Sequence, residues 1–235
     1  GVIDRMDYLQ ELGVTALWIS PVVRNIDTDA GFDGYHGYWA VDIETVNPHF
    51  GDLATLRRMV DEAHARDMVV LLDIVTNHFG QVFYYDINRN GQPDEWVQGS
   101  GSIAPGGSST GMTSPVARVT EYDPDFDPRG VQSFTSLGGS GAAPIIFFDM
   151  PEIFRTPPMP LLFQDPTAYN RRGRTLDFED PQQLLLGDFP GGLKDVDTTD
   201  VRVREAMTQA YVDWVLETDL DGFRIDTIKH VEYCF

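Results

Sequence analysis

The sequence predicts an α/β fold, namely part of a (β/α)8 TIM barrel that carries a long irregular insertion. Strands and helices alternate at both ends of the chain, and two of the predicted strands are continuous apolar runs of the kind found in parallel sheets. Between them, Gly, Ser and Pro cluster and no helical period is sustained. We therefore predict a first barrel part over residues 1–78, an inserted β-rich domain over 79–190, and a continuation of the barrel over 191–235.

The first barrel part reads as helix, strand, helix and strand. Apolar residues recur at helical spacing from residue 3 to 12, and Gly13 fits a helix stop. The apolar run 15–20 predicts a buried strand. Asp52 is a candidate N-cap for the next helix, and the run 68–75 predicts a strand buried on both faces. Strand, helix and strand at this spacing predict a βαβ unit.

The barrel pattern resumes after the insertion. Residues 203–214 show amphipathic helix spacing, and residues 222–228 predict another strand.

The charge balance of the sequence excludes some classes of binding partner. The chain has 235 residues with 17 Lys and Arg against 37 Asp and Glu, a formal net charge of −20. This excess of acid argues against a nucleic-acid partner and against adhesion to anionic membranes. A hydrophobic fraction of 42% supports a packed core, and the single cysteine, Cys234, excludes a disulfide within the chain. The sequence contains no apolar run long enough to span a membrane.

Polar residues at the ends of two predicted strands are candidate site residues, because barrel active sites lie at the carboxyl ends of the strands. Asp73 lies inside an apolar strand and needs a partner, and Asn77 and His78 follow where that strand ends. Asn77 could offer an oxygen to Ca²⁺, and His78 could donate to a substrate hydroxyl. The alternative is that Asp73 only braces the barrel and His78 is a satisfied, half-buried residue.

The second strand end carries Arg224 and Asp226, followed by Lys229 and His230. Residues two apart on a strand point to the same face, so the guanidinium should keep the Asp226 carboxylate ionised by lowering its pKa. An ionised, oriented carboxylate can act as a nucleophile. A purely structural ion pair is the alternative. Segment 35–39, Tyr-His-Gly-Tyr-Trp, could stack on sugar rings or could simply pack under a loop.

A further candidate is a calcium-binding loop. It places oxygen donors at positions 1, 3, 5 and 9 and Gly91 at position 6, as in an EF-hand loop, with Val97 where the final Glu is usual. The donors are Asp86, Asn88, Asn90 and Asp94. A polar turn without calcium is the alternative.

Five segments together resemble the α-amylase family of glycoside hydrolases (family 13), in the order of that family. They are residues 15–21, 35–39, 73–78, 193–197 and 222–230. Lys194 stands where that family usually has Pro or Ala. The resemblance implies that the chain holds about strands two to four of the barrel, with the family's domain B inserted after the third strand.

The resemblance also implies roles. Asp226 would be the nucleophile and Arg224 would hold it. His36, Tyr38, Trp39 and His78 would contact the sugar on the donor side, and Lys229 and His230 would line the acceptor side. The family's structural Ca²⁺ would be bound by Asn77, Asp195 and the backbone carbonyl of His230.

The activity implied is retaining hydrolysis of α-1,4 bonds in starch-like glucans, by a secreted, extracellular enzyme that is a monomer in its full-length form. The family's acid/base Glu would follow Phe235, so the chain would be an internal fragment that is inactive alone. One alternative is a cyclodextrin glucanotransferase, although Gly191 stands where those enzymes usually carry an aromatic residue. Another is a non-catalytic carbohydrate- or calcium-binding homologue.

Overall fold

The computed structural model describes residues 1–29, 32–85, 144–189 and 192–235, together with residue 134 and three short strands between 86 and 143. The α-helices are α1 (Met6–Glu11), α2 (Leu53–His64), α3 (Pro181–Leu186) and α4 (Val201–Thr218). The strands up to the long excursion are β1 (Ala16–Ile19), β2 (Val23–Asn25), β3 (Thr28–Asp29), β4 (Phe32–Asp33), β5 (Ala40–Val46), β6 (Val69–Val75) and β7 (His78–Phe79). The remaining strands are β8 (Phe83–Tyr85), β9 (Glu95–Val97), β10 (Ile103–Ala104), β11 (Val116–Arg118), β12 (Ile145–Phe147), β13 (Lys194–Asp195) and β14 (Gly222–Asp226).

A parallel sheet of order β1-β6-β14 forms the centre of the described chain. Strand β6 lies in the middle and is almost wholly buried, as predicted from its apolar run. Strand β1 is less buried than predicted, since it lies at the edge of this sheet and Trp18 is 59% exposed. The parallel order agrees with part of a barrel, and the sheet is not closed in the described part of the chain.

Helices α2 and α4 bury apolar faces against this sheet. Asp52 caps α2, since its side chain accepts a hydrogen bond from the backbone N–H of Thr55 at 2.8 Å. On α4, Met207 is fully buried, and the Trp214 indole donates to the backbone oxygen of Ile43 at 2.8 Å. Burying each large apolar side chain contributes about 1.5–3 kcal/mol to the free energy of folding. This buried face therefore stabilises the position of α4, the helix that precedes β14 in the chain.

Short antiparallel pairs connect the central sheet with the segment that follows it. Strand β7, just after β6, pairs with β13, just before α4, and this pairing places Asp195 opposite His78. Strands β8 and β12 form a second pair, and β10-β9-β11 form a third small sheet. The assignment of residues 79–190 to a separate inserted domain stays a prediction. None of the described helices is both long and apolar enough to cross a membrane.

Candidate active site

Asp73 is the buried centre of the candidate site. Its side chain is 1% exposed and accepts hydrogen bonds from three directions. The Trp18 indole donates to Oδ2 at 3.2 Å, the Tyr38 hydroxyl donates to Oδ2 at 2.9 Å, and Arg224 Nη1 lies 3.0 and 3.1 Å from the two oxygens. The partner that the sequence required for Asp73 is therefore a set of three donors.

Arg224 connects Asp73 to Asp226. The register of the sheet places Arg224 beside Asp73, and the alternation of side chains along β14 returns Asp226 to the same face. Arg224 Nη1 donates to Asp226 Oδ1 at 2.5 Å, and the guanidinium lies 5.2 Å from the Trp18 ring. The hydrogen bonds to Asp73 and Asp226 raise the pKa of Arg224, so it stays cationic. The predicted same-face pair is confirmed.

An aromatic wall stands beside this charge cluster. The His36 ring stacks on Tyr38 with ring centres 5.7 Å apart and meets Trp39 edge-on at 4.5 Å. Burial lowers the pKa of His36, which favours a neutral imidazole. Burial, followed by the hydrogen bond to Asp73, raises the pKa of Tyr38 to about 12. Tyr38 therefore stays a neutral phenol that donates to Asp73.

Asn25, which the sequence analysis did not single out, tethers the loop that carries the aromatic wall. Its buried side-chain amide donates to the backbone oxygens of Ile26 (2.7 Å) and Gly34 (2.6 Å) and accepts from the Trp39 backbone N–H at 2.5 Å. Gly37 adopts a φ of +83°, and a Cβ there would collide with the backbone oxygen of Pro21. Asn25 ends the short strand β2, whose sequence is Val-Arg-Asn, and no pattern along the sequence singles it out.

His78 lies at the other side of the strand end and is 2% exposed. Its Nε2 has no hydrogen-bond partner in the described part of the chain, and its ring stacks on Phe189 at 5.4 Å. Burial lowers the pKa of His78 to about 3, so the imidazole is neutral. Phe189, which the sequence analysis mentioned only as out of register, also contacts the His230 ring at 5.1 Å. A buried ring nitrogen without a partner is suited to bind a ligand hydroxyl.

Asp195 has the properties of a ligand to a hard cation. It is 1% exposed, its Oδ2 accepts from Asn170 at 2.7 Å, and its Oδ1 has no partner in the described part of the chain. Burial raises the pKa of this carboxyl well above its usual value. A buried carboxylate oxygen without a donor is costly unless a cation or a proton satisfies it. The donor chemistry therefore fits the calcium ion that the family resemblance implies.

The other two predicted calcium ligands, Asn77 and His230, are also buried. Asn77 is 1% exposed, and its backbone oxygen accepts from the Val196 N–H at 2.9 Å, which joins it to the strand that holds Asp195. His230 is 8% exposed and its ring Nδ1 lies 2.8 Å from the backbone oxygen of Leu184. No group of three or more His, Cys, Asp or Glu side chains suited to a metal occurs among the described residues. The predicted calcium ligands are one carboxylate, one amide and one backbone carbonyl, so they differ from a cluster of His, Cys, Asp and Glu side chains.

Lys194, the departure from the family pattern, is fully buried beside Asp195. Its ammonium lies 4.9 and 5.1 Å from the rings of Phe83 and Tyr85 and 3.7 Å from Asp188 Oδ2. Asp188 in turn accepts from the backbone N–H of Asp195 at 3.2 Å and from the Tyr85 hydroxyl at 3.0 Å. This buried group fixes the backbone at Asp195.

Lys229 lies exposed on the short helical turn Ile228–His230 that follows β14. The predicted calcium loop, Asp86, Asn88, Asn90 and Asp94, lies outside the described residues, as does Gly191.

Comparison with known proteins shows that the chain is similar to alpha-amylases. The family model for the alpha-amylase catalytic domain matches residues 1–100. An alpha-amylase of Streptomyces lividans is 31% identical over 239 residues, which cover 100% of this chain and 24% of that protein. The crystal structure of an alpha-amylase from Geobacillus thermoleovorans, complexed with acarbose, superposes with a TM-score of 0.59 and 27% identity, over 99% of this chain and 34% of that one.

A gamma-CGTase from alkalophilic Bacillus clarkii shares the fold, with a TM-score of 0.58 and 23% identity over 98% of this chain and 25% of that one. The chain thus spans about a quarter to a third of the length of these relatives. The parallel sheet of the chain and its superposition on an alpha-amylase structure indicate part of a (β/α)8 barrel, the fold class of these relatives. Within that class, the chain is similar to the α-amylase family, whose catalytic-domain model matches residues 1–100.

Proposed function

We propose that the protein acts in retaining hydrolysis of α-1,4-glucosidic bonds in starch-like glucans, with Asp226 as the nucleophile. The observation that carries this proposal is the bridge from Asp226 through Arg224 to the buried Asp73, at the carboxyl ends of adjacent parallel strands. Asp226 attacks the anomeric carbon and forms a covalent glycosyl-enzyme, which water then hydrolyses. Arg224 fixes the direction of the attacking oxygen, and Asp73 fixes Arg224.

The surrounding side chains would hold the sugar. Tyr38 offers its ring as a stacking surface while its hydroxyl is held by Asp73. The buried Nε2 of His78 is available to a sugar hydroxyl, and His36 contributes a second neutral imidazole. Trp39 would extend the donor side. Lys229 and His230 would line the acceptor side.

A proton donor for the leaving group must come from another carboxyl group. In retaining glycosidases the two carboxyl groups lie roughly 5–5.5 Å apart. Asp73 is close to Asp226 but is unsuited, because it is buried and already accepts from Trp18, Tyr38 and Arg224. We therefore expect the 235-residue chain alone to bind glucans without hydrolysing starch. Release of reducing sugar by the purified chain would contradict this expectation.

A trapping experiment tests the nucleophile without a proton donor. A 5-fluoro maltosyl fluoride needs no acid, because its C1–F bond breaks with loss of fluoride as Asp226 Oδ bonds to C1. Mass spectrometry should show one maltosyl adduct on Asp226 in the wild type and in the control Asp197→Asn, and none in Asp226→Asn. Absence of an adduct in the wild type, or its persistence in Asp226→Asn, would refute the proposal and favour a non-catalytic carbohydrate-binding protein.

Transfer to another sugar, as in cyclodextrin glucanotransferases, is the second candidate. The ring of Phe189 lies against His78 and His230, so an aromatic side chain stands between residues proposed for the donor and acceptor sides. Such a ring could favour a sugar over water as the acceptor. Product analysis after the full-length enzyme acts on starch distinguishes the two: cyclic oligosaccharides support transfer, and linear sugars alone support hydrolysis.

We also propose a structural calcium ion held by Asn77, Asp195 and the backbone carbonyl of His230. When bound, the ion would neutralise the buried Asp195 carboxylate and tie the β7–β13 pair to the turn after β14. A ligand present at 100 times its Kd stabilises a protein by about 2.7 kcal/mol, so Ca²⁺ should raise the Tm. Asp195→Asn should abolish this shift, whereas Asp197→Asn, on the same segment, should keep it. An equal shift in both variants would overturn the assignment. The proposed setting is extracellular, with a monomeric full-length protein.

A further inference from the structure

Glu232, two residues after His230, carries a carboxylate oxygen that is shielded from solvent. This oxygen, Oε1, has no hydrogen-bond partner within the described part of the chain. None of the roles proposed above uses Glu232. A shielded carboxylate oxygen is costly unless it accepts a hydrogen bond or meets a cation, so its surroundings indicate what it binds.

The Glu232 side chain is held against the segment that carries Asp195. Thr198, three residues after Asp195, is 1% exposed, and its Oγ1 donates a hydrogen bond to Glu232 Oε2. The backbone N–H of Glu232 donates to the same Oγ1 at 3.4 Å. These hydrogen bonds fix the carboxylate beside the β13 segment and satisfy only one of its two oxygens.

Asp195 and Glu232 repel each other. Burial is the main cause that raises the pKa of Asp195, and the negative charges of Asp188, Glu232 and Asp197 raise it further, against the hydrogen bond from Asn170. Asp195 Oδ1, like Glu232 Oε1, is buried without a donor among the described residues. Two carboxylates in this situation share one need, which is a positive charge between them.

The other buried groups near Asp195 do not supply that positive charge. The Lys194 ammonium lies 3.7 Å from Asp188 Oδ2, so these two buried charges cancel each other. Burial lowers the pKa of His230, which favours a neutral imidazole. The carboxylates of Asp195 and Glu232 therefore keep two negative charges between them, which a divalent cation would balance.

Arg204 on α4 is a cation close to the same segment, but it is directed elsewhere. Its Nη1 donates to the backbone oxygens of Thr198 at 2.9 Å and of Thr199 at 2.7 Å. Within the described part of the chain it forms no ion pair with Glu232. It therefore leaves the shielded oxygen of Glu232 to another partner.

We propose that Glu232 is a further ligand of the calcium ion proposed above and supplies its second carboxylate. The inference rests on that proposed ion and goes beyond it, because Asn77, Asp195 and the His230 carbonyl together supply only one negative charge. Ca²⁺ takes roughly six to eight oxygen ligands, and the number of charged ligands tunes its affinity. With Glu232, the segment after β14 holds the ion by a side chain as well as by its backbone.

Calorimetric titration of the metal-free protein with CaCl2 tests this ligand. Glu232→Gln removes the charge and keeps the shape of the side chain, so it should weaken Ca²⁺ binding by at least about tenfold. Glu205→Gln is the matched control, because Glu205 is exposed on α4 and the change of charge is the same. The control should keep the affinity of the wild type.

The Tm of the metal-free protein separates a calcium ligand from a residue that only supports the fold. Glu232→Gln removes a repulsion with Asp195 and keeps an oxygen for the Thr198 hydroxyl. The Tm without Ca²⁺ should therefore stay the same or rise, while the rise in Tm on adding Ca²⁺ should shrink. An equal loss of Tm with and without Ca²⁺ would overturn the assignment.

The outcomes distinguish the role of Glu232 from the calcium ion itself. If the wild type binds no Ca²⁺, the proposed ion fails and the role of Glu232 fails with it. If Asp195→Asn abolishes binding while Glu232→Gln binds Ca²⁺ like the wild type, the ion stands and the role of Glu232 alone is overturned. Equal weakening by Glu205→Gln would also overturn that role, because the effect would then come from net charge.

Discussion

Replacing Asp73 by Asn removes the charge at the centre of the candidate site while keeping the shape of the side chain. Asp73 accepts from Trp18, Tyr38 and Arg224, and an amide can present only one acceptor oxygen to these donors. The hydrogen bonds from the uncharged donors Trp18 and Tyr38 to this carboxylate are worth about 1.5 kcal/mol each, the low end for a bond to a charged group. The bond to Arg224 is worth about 1.5 kcal/mol, the low end for a charged partner, because that side chain is 39% exposed.

Since Asn keeps part of this set but turns an N–H towards another donor, we expect Asp73→Asn to lower the free energy of unfolding by about 3 kcal/mol. Urea unfolding followed by far-UV circular dichroism measures this loss. With an m-value of about 3 kcal/mol/M, the midpoint should fall by about 1 M. Asp61→Asn, on the exposed face of α2, is the control and should shift the midpoint little. A change below about 0.5 kcal/mol in Asp73→Asn would refute the view that this carboxylate holds the site together.

Three further predictions follow from single contacts. Tyr38 keeps its proton up to a pKa of about 12, against about 10 in the unfolded chain. Its contribution to stability is therefore complete below pH 10 and is lost as the pH rises towards 12, so Tyr38→Phe should flatten the alkaline part of the stability profile; identical profiles would contradict this. Tyr211→Phe leaves the backbone oxygen of Val75 without its hydroxyl donor and should cost about 1–2 kcal/mol in urea unfolding, and a neutral result would show that this contact is not formed. Gly37→Ala should lower the Tm, because alanine is strained at a φ of +83° and its Cβ meets the backbone of Pro21; an unchanged Tm would show that the loop adapts freely.

Local patterns in the sequence were sufficient for the framework of the site. The apolar run 68–75 identified the buried central strand, and helical spacing over 203–214 identified α4. Asp52 was recognised as an N-cap from its position alone. The two-residue period of a strand placed Arg224 and Asp226 on one face, and their contact at 2.5 Å confirms it.

The partners of these residues were not predictable from local patterns. An aspartate inside an apolar strand indicates that a partner is needed. It does not identify the partner, because Arg224 is 151 residues away in the sequence and Tyr38 is 35 residues away. The tether from Asn25 to the aromatic loop, and the stacking of Phe189 on His78, depend on contacts across the fold. No spacing along the chain encodes such contacts.

By itself, the sequence determined the kinds of elements, the parallel arrangement of the central strands, and the residue types able to perform chemistry at their ends. These features follow from local periodicity and from the cost of burying polar groups. Only the tertiary structure decided that Asp73 accepts hydrogen bonds from three donors, and that within the described part of the chain Asp195 Oδ1 is buried without one. Each of these depends on which surfaces meet when distant segments pack, and packing is a property of the whole fold.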